Sequence, residues 1–368
     1  MSAKTLAGLE QTLSEEIASL GGTNIRTGKR IVFFEGNDEL MMKANLSLRT
    51  ALNILIPFYE FDAVDEEQLY EEIYDFPWED IFSLRNTFSI QATVAGDLFT
   101  HSKYVALKTK DAIADRFRKI CGRRPNVEVR NADYQFVIHI NYNHCFLSLN
   151  SSGQGLDKRG YRLQSNEAPL NEAMAAGIIL KSKWDKLSDI YDPMSGSGTF
   201  GIEAALIGTN TPPGIHRRFA FQTWNDYNQE LFYEVLNNLK SNITELKANI
   251  YSKDITHQNL EIIHQNASRA GVEELLEIEQ GDYFESEAKS IGGIIYLNPP
   301  YGERMAIEDA KAEYKLIGDQ LKKKYKSCDA WIISSNIAAL KAFGLKPESK
   351  EIVYNGGLEC RLQHYKLF

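Results

Sequence analysis

The second half of the sequence predicts an α/β fold, a doubly wound parallel sheet, and the first half predicts smaller α+β modules in front of it. Three observations carry this expectation. From residue 189 onward, strand-like and helix-like segments alternate. Those strands end in polar or glycine-rich loops, which is where open α/β sheets place their chemistry. Finally, 368 residues exceed one typical domain of about 150, which predicts two or three domains.

In chain order, "TLAGLEQTLSEEIASLG" carries Leu6, Leu9, Leu13, Ile17 and Leu20 at helical spacing, with Gly21 and Gly22 as a stop, and "RIVFF" follows as a strand. A second unit begins near Leu55. Within it "TFSIQATV" predicts a strand, "HSKYVALKTKDAIADRFRKI" an amphipathic helix, and "QFVIHINYNHCFLSLN" two strands about a polar turn at Asn141 to Asn143. "SSGQGLDKRGYRLQSNEAP", rich in Gly, Ser and charge, has the composition of a linker. After the helical "NEAPLNEAMAAGIILKSKW", the successive strands are expected at "DIYDP", "NIYSKD", "LEIEQGD", "GIIYLNPP" and "AWIISSN".

Hydrophobic residues make up 43% of the chain and charged residues 25%, and no apolar run approaches the roughly 18 residues of a membrane span. The amino terminus lacks the basic-then-apolar pattern of a secretory signal, so a cytoplasmic protein is expected. Cys121, Cys145, Cys328 and Cys360 form no CxxC pair, which speaks against a zinc site or a disulfide framework, and no metal is expected. A net charge of −9 taken alone disfavours a nucleic-acid partner, but the charge is uneven. Between Leu98 and Arg130 nine Lys or Arg stand against three acids. Such a local basic face can hold phosphates, because fields are screened within about 8–10 Å at physiological salt. A solvated helix face is the alternative.

Two segments carry chemistry. "DPMSGSGTFGIEAALIG" sets Asp192, Gly196, Gly198 and Gly201 between a strand and a helix, where glycines admit close backbone approach and the helix amino terminus favours an anionic group. The spacing is neither GxGxxG nor a P-loop; a tight turn is the plain alternative. Asp254 and Asp282 close the next two strands. An acid there is often a helix cap, yet Asp254 can also accept both hydrogen bonds of a ribose diol. The second segment, "LNPPYGER", leaves a buried strand through Asn298, Pro299, Pro300 and Tyr301. Neither proline can donate a backbone hydrogen bond, so the loop is stiff and non-helical.

"DPMSGSGT" with "IEAA" and then "LNPPYGER" resembles the class I S-adenosylmethionine-dependent methyltransferases that modify exocyclic amino groups. With "TLAGLE", "ANLSLRTALNIL", "DKRGYR", "EAPLNEAMAAGIIL", "PPGIHRRFAFQTW" and "YNGGLECRL", nearly the whole chain resembles the bacterial large-subunit ribosomal RNA guanine-N2 methyltransferases that carry a THUMP module. The resemblance implies a ferredoxin-like module over 1–59, a THUMP RNA-binding domain over 60–155 and a Rossmann-like methyltransferase domain over 156–368. It implies S-adenosylmethionine held by Asp192, Met194, Gly196, Gly198, Thr199, Asp254, Ile255, Asp282 and Asn298, and large-subunit ribosomal RNA as partner. Ser195 departs from the cysteine more frequent in this group, and some members continue into a second methyltransferase domain.

In such an enzyme Asn298 Oδ1 and the Pro299 carbonyl would accept the two N–H bonds of the target amine and turn its delocalised lone pair towards the methyl group. Tyr301 would stack on the base, and Pro300 would stiffen the loop. Lys103, Lys110, Arg123, Arg124, Lys158, Arg159 and Arg162 are the candidate phosphate contacts, with ordinary surface charge as the alternative. Adenine-N6 methyltransferases share the same tetrapeptide and form a second reading. A non-catalytic RNA-binding ribosome-assembly factor is a third, opposed by the intact Asp192, Gly196, Gly198 and Asn298.

Overall fold

The structure, a computed structural model, describes residues 1–162, 169–299 and 307–368. The chain opens with β1 (Ser2–Thr5), α1 (Glu10–Ser19), β2 (Thr23–Gly28), β3 (Ile31–Glu35), α2 (Asp38–Ser47) and β4 (Ala51–Asp62). It continues with α3 (Glu66–Asp75), β5 (Thr87–Ala95), α4 (Ser102–Cys121), β6 (Asn126–Val127), β7 (Tyr134–Asn141) and β8 (His144–Asn150). Side chains fix several ends. Asn37 caps α2 by accepting from Leu40 N, Asp65 caps α3 from Glu67 N and Gln68 N, and Gly122 ends α4 at φ 67°. The expected first helix begins only at Glu10; Leu6 and Leu9 are buried in the turn before it.

These strands form one eight-stranded sheet in the order β2-β3-β1-β4-β8-β7-β5-β6. The second unit expected near Leu55 is therefore not separated from the first by a loop. Residues 51–55 of β4 pair with β1 and residues 55–62 pair with β8, so one strand belongs to both modules. Pro57 sits at the register shift in that pairing, as suits a residue that cannot donate to the ladder. Two cores cover the sheet. Leu13, Ile17, Val32, Phe34 and Ile54 form one, and an aromatic cluster of Trp78, Phe82, Phe88, Phe117 and Phe136 forms the other.

The second half carries α5 (Glu172–Lys181), β9 (Ile190–Asp192), α6 (Thr199–Gly208), α7 (Gln229–Ser241), β10 (Ile250–Asp254), α8 (His257–Ala270), β11 (Glu277–Gln280) and β12 (Ile294–Leu297). It ends with α9 (Ile307–Lys324), β13 (Asp329–Ser334), α10 (Ile337–Leu340), β14 (Ser349–Asn355) and β15 (Leu358–Lys366). The sheet order is β11-β10-β9-β12-β13-β15-β14. Strands β9 to β13 run parallel, and β15 returns antiparallel beside β13. All five expected strands are present. Ile294 and Tyr296 face one core and Ile295 and Leu297 the other, so β12 is covered on both sides, as a buried parallel strand must be.

The Gly/Ser-rich stretch expected as a linker is instead a packed strap. Ser151 and Ser152 are fully buried; Ser151 Oγ donates to Ile54 O at 3.0 Å and Ser152 Oγ to Asn45 Oδ1 at 2.7 Å. Further along, Arg159 and Tyr161 turn inward to Glu203 on α6: Nε lies 3.4 Å and the tyrosine hydroxyl 3.1 Å from Oε1. Arg159 also donates to Leu156 O at 2.7 Å and to Arg49 O at 2.5 Å, which ties the first module to the second half. Residues 163–168 of the same stretch lie outside the described residues.

Candidate active site

The chain moves outward from β9 to β10 and β11 and then reverses to β12, so the switch point of the sheet lies between β9 and β12. Ligands of open α/β sheets bind outside the carboxyl ends of the strands at this point. Ile295 is in register with Tyr191, which brings the ends of β9 and β12 side by side. Asp192, the glycine loop and Asn298 therefore share one edge, although about a hundred residues separate them in sequence.

The loop after β9 is held from several directions. Ser195 N donates to Lys253 O at 3.0 Å, and Gly196 N to Asp254 Oδ2 at 2.9 Å. Gly198 turns the chain at φ 78°, in the left-handed region that favours glycine. A Cβ at Gly201 would stand 2.3 Å from Ser252 Oγ, so only glycine lets α6 lie this close to β10. Asn266 of α8 donates to Ser197 O at 3.1 Å. Arg162, expected on the RNA path, lies against this loop: Nη1 donates to Ser197 Oγ and Nη2 to Thr199 Oγ1, each at 2.9 Å, while Nε meets Glu172 Oε1 at 2.9 Å. The sequence offered no sign of the Arg162 and Asn266 contacts, which join positions far apart along the chain.

Asp192 is 1% exposed, and its Oδ2 has no hydrogen-bond partner among the described residues. Burial pushes its carboxyl up to about 7, aided by the nearby charge of Asp254. Asp254 Oδ1 accepts from Thr256 N at 3.0 Å and Asn259 Nδ2 at 2.9 Å, so this acid does serve as a local cap; Ile255 beside it is 61% exposed. Asp282 accepts from Phe284 N at 2.9 Å, and Met194 is partly buried against the core of Tyr191 and Tyr283. At the end of β12, Asn298 Oδ1 is a second buried acceptor without a partner among the described residues. Pro299 is buried next to it; Pro300 and Tyr301 lie outside the described residues.

Two orphaned acceptors, a glycine loop at a helix amino terminus and a strand-end carboxylate form an edge that can take hydrogen-bond donors at the acceptors and an anionic group at the helix terminus. The family follows from comparison with known proteins. Residues 159–364 match the family described as RMKL-like, methyltransferase domain. The chain belongs to the RMKL-like methyltransferase family. Residues 63–150 of this methyltransferase match the THUMP domain and residues 1–55 the RlmL ferredoxin-like domain. It is similar to the "Putative RNA methyltransferase slr0064" of Synechocystis, 33% identical over 98% of this chain and 95% of that protein. It is 36% identical over 97% of its length to "Ribosomal RNA large subunit methyltransferase K/L" of Shewanella pealeana, and spans 51% of that relative. The crystal structure of "SMU.472, a putative methyltransferase complexed with SAH" superposes with a TM-score of 0.89 at 30% identity, covering 100% of this chain and 97% of that one. The cofactor of the family is S-adenosylmethionine, and the orphaned Asp192 carboxylate fits its ammonium group.

Two expected results concern the cofactor. Asp254→Ala removes the carboxylate that accepts from Gly196 N, and should weaken S-adenosylhomocysteine binding by about 1.5–3 kcal/mol in calorimetry. Asp192 should make that binding pH-dependent. An ammonium donor near Oδ2 favours the ionised carboxylate, so affinity should rise about 10-fold from pH 6 to pH 8, with proton release below pH 7 visible as a buffer-dependent enthalpy. Binding that is flat with pH would remove Asp192 from the cofactor's surroundings.

The other basic candidates are scattered. Lys103 and Arg123 are exposed and have no ion pair among the described residues. Lys110 pairs with Asp111 at 3.0 Å, and Arg124 with Asp115 at 2.5 Å. With Arg116 bound to Glu79 at 2.6 Å, much of the excess positive charge of α4 is met within the protein. Lys158 is exposed, 4.0 Å from Asp157, whereas Arg159 is 6% exposed and bonded inward; with Arg162 on the glycine loop, those two guanidiniums serve the protein's own framework. No group of acids, histidines and cysteines able to hold a metal is present among the described residues, and no described helix is long and apolar enough to cross a membrane.

Proposed function

We propose that this methyltransferase modifies the exocyclic N2 amine of a guanosine in large-subunit ribosomal RNA. The observation that carries the reading is Asn298 Oδ1, a buried acceptor without a partner among the described residues, at the strand end adjoining the cofactor loop. An aromatic amine offers two N–H donors and a delocalised lone pair. Accepting those donors at Asn298 Oδ1 and the Pro299 carbonyl fixes the nitrogen in near-attack geometry, and the lone pair then points at the electrophile. Bound in the pocket, S-adenosylmethionine supplies that electrophilic methyl group. The amine sheds its proton to solvent after transfer, so no general base is required. Tyr301 stacks on the extruded base, a contact worth ~1–3 kcal/mol.

Residues 60–155 carry the RNA in this reading, residues 156–368 the chemistry, and residues 1–59 brace the two. The THUMP match over 63–150 and the names of the relatives support RNA over DNA. Nucleoside mass spectrometry of ribosomal RNA from cells with and without the protein tests the target: loss of N2-methylguanosine is the expected result. Loss of N6-methyladenosine instead would move the reading to adenine.

A further inference from the structure

We propose that a cationic cleft behind the active site, between the strap at 158–161 and the loop from α6 to α7, holds one or two backbone phosphates of the RNA substrate. The proposal rests on the reading of the substrate as RNA, and adds a binding surface outside both the THUMP domain and the pocket edge. The cleft encloses about 470 Å³. Its floor is apolar, from Tyr161, Leu206 and Pro212, and its rim carries Lys158, Arg218 and Arg269. All three rim cations are exposed, and Arg218 and Arg269 have neither a hydrogen bond nor an ion pair among the described residues.

Beneath the rim, Arg217 is fixed as part of the wall. Nη1 donates to Gly155 O at 2.7 Å and to Lys158 O at 2.5 Å, and Nη2 donates to Gln154 O at 2.6 Å. Three carbonyls take three of its five N–H hydrogens without neutralising its charge. Burial, and then the charge of Arg159, pull this guanidinium down to about 10, against a smaller opposing pull from Asp157. Asp157, beside Lys158 in the strap and 4.0 Å from its Nζ, accepts from Asn171 Nδ2 at 3.0 Å. On a chain of net charge −9, Arg218 and Arg269, without partners among the described residues, gathered with Lys158 over the half-buried Arg217 make an anion site of local reach.

The position suits a substrate strand. Leu206 lies seven residues beyond Thr199 on α6, so the cleft opens about 10 Å along that helix from the cofactor loop. The same strap that lines the cleft ends in Arg162 on Ser197 and Thr199. An RNA held in the cleft therefore reaches the active-site edge within a few nucleotides.

The test compares the whole wild-type protein with the double variant Arg218→Gln/Arg269→Gln, using protein-free large-subunit ribosomal RNA as probe across a range of salt. The variant should bind on the order of 10-fold more weakly, and the slope of log affinity against log salt should shrink by about 1–2, close to one for each phosphate no longer neutralised. S-adenosylhomocysteine affinity and melting temperature should match wild type. An unchanged slope and affinity would overturn the cleft while leaving the methylation reading intact. Inorganic pyrophosphate, assayed alongside, separates the sources of phosphate: tight pyrophosphate binding abolished in the variant, with RNA binding unaltered, would overturn RNA as the ligand. Wild-type protein that binds RNA through the cleft yet transfers no methyl group would refute the proposed function and leave the cleft standing.

Discussion

Replacing Asn298 by alanine is expected to lower turnover about 10²–10³-fold, with affinities for S-adenosylhomocysteine and RNA close to wild type. Its Oδ1 is buried and has no partner among the described residues. In the proposed mechanism, what alanine takes away is an acceptor needed when the amine is turned towards the methyl group. Asn298→Asp should keep part of the activity, because a carboxylate oxygen still accepts. A loop that merely stiffened the fold would respond in the opposite way, with a lower melting temperature and normal turnover per folded molecule. A fully active Asn298→Ala enzyme would end the proposed role.

The second large effect is on stability. Glu203 is wholly buried on α6, where Oε1 takes both Arg159 Nε and the Tyr161 hydroxyl. Glu203→Ala leaves the Arg159 charge buried without its counter-charge, at a cost of about 3–5 kcal/mol. For a domain of this size that corresponds to a melting temperature lower by roughly 6–20 °C. Glu203→Gln, which keeps an acceptor but not the charge, should lose less. Because Arg159 also donates to Arg49 O, loosening should spread to the first module, visible as faster amide exchange around Arg49 and Thr50. A Glu203→Ala protein as stable as wild type would show that the network contributes nothing net.

The strands of the catalytic sheet were legible because each is a short apolar run ended by a turn residue, and the parallel order follows from the helices between them. β4 was hidden by Pro57, whose presence argues against a central strand until the register shift beside it is known. The strap was misread from composition: Ser151 and Ser152 look like linker residues, but their hydroxyls are satisfied by Ile54 O and Asn45 Oδ1 in another module. The hairpin of β14 and β15 could have been found, since "NGG" between alternating segments is a turn signal. In the site, Asp192, Asp254 and Asn298 were visible as strand ends. The inward use of Arg159 and Arg162 was not, because the charge of an arginine is plain in a sequence while the carboxylate that meets it is set by the fold.

We propose methyl transfer to a guanine amine of ribosomal RNA by way of the Asn298 loop. The most direct measurement incubates the purified protein with S-adenosylmethionine labelled in the methyl group and protein-free large-subunit ribosomal RNA, digests the RNA, and identifies the labelled nucleoside. Label in N2-methylguanosine alone is the predicted result, nearly abolished by Asn298→Ala. Label in another nucleoside, or no label from a protein that binds S-adenosylhomocysteine normally, would contradict it.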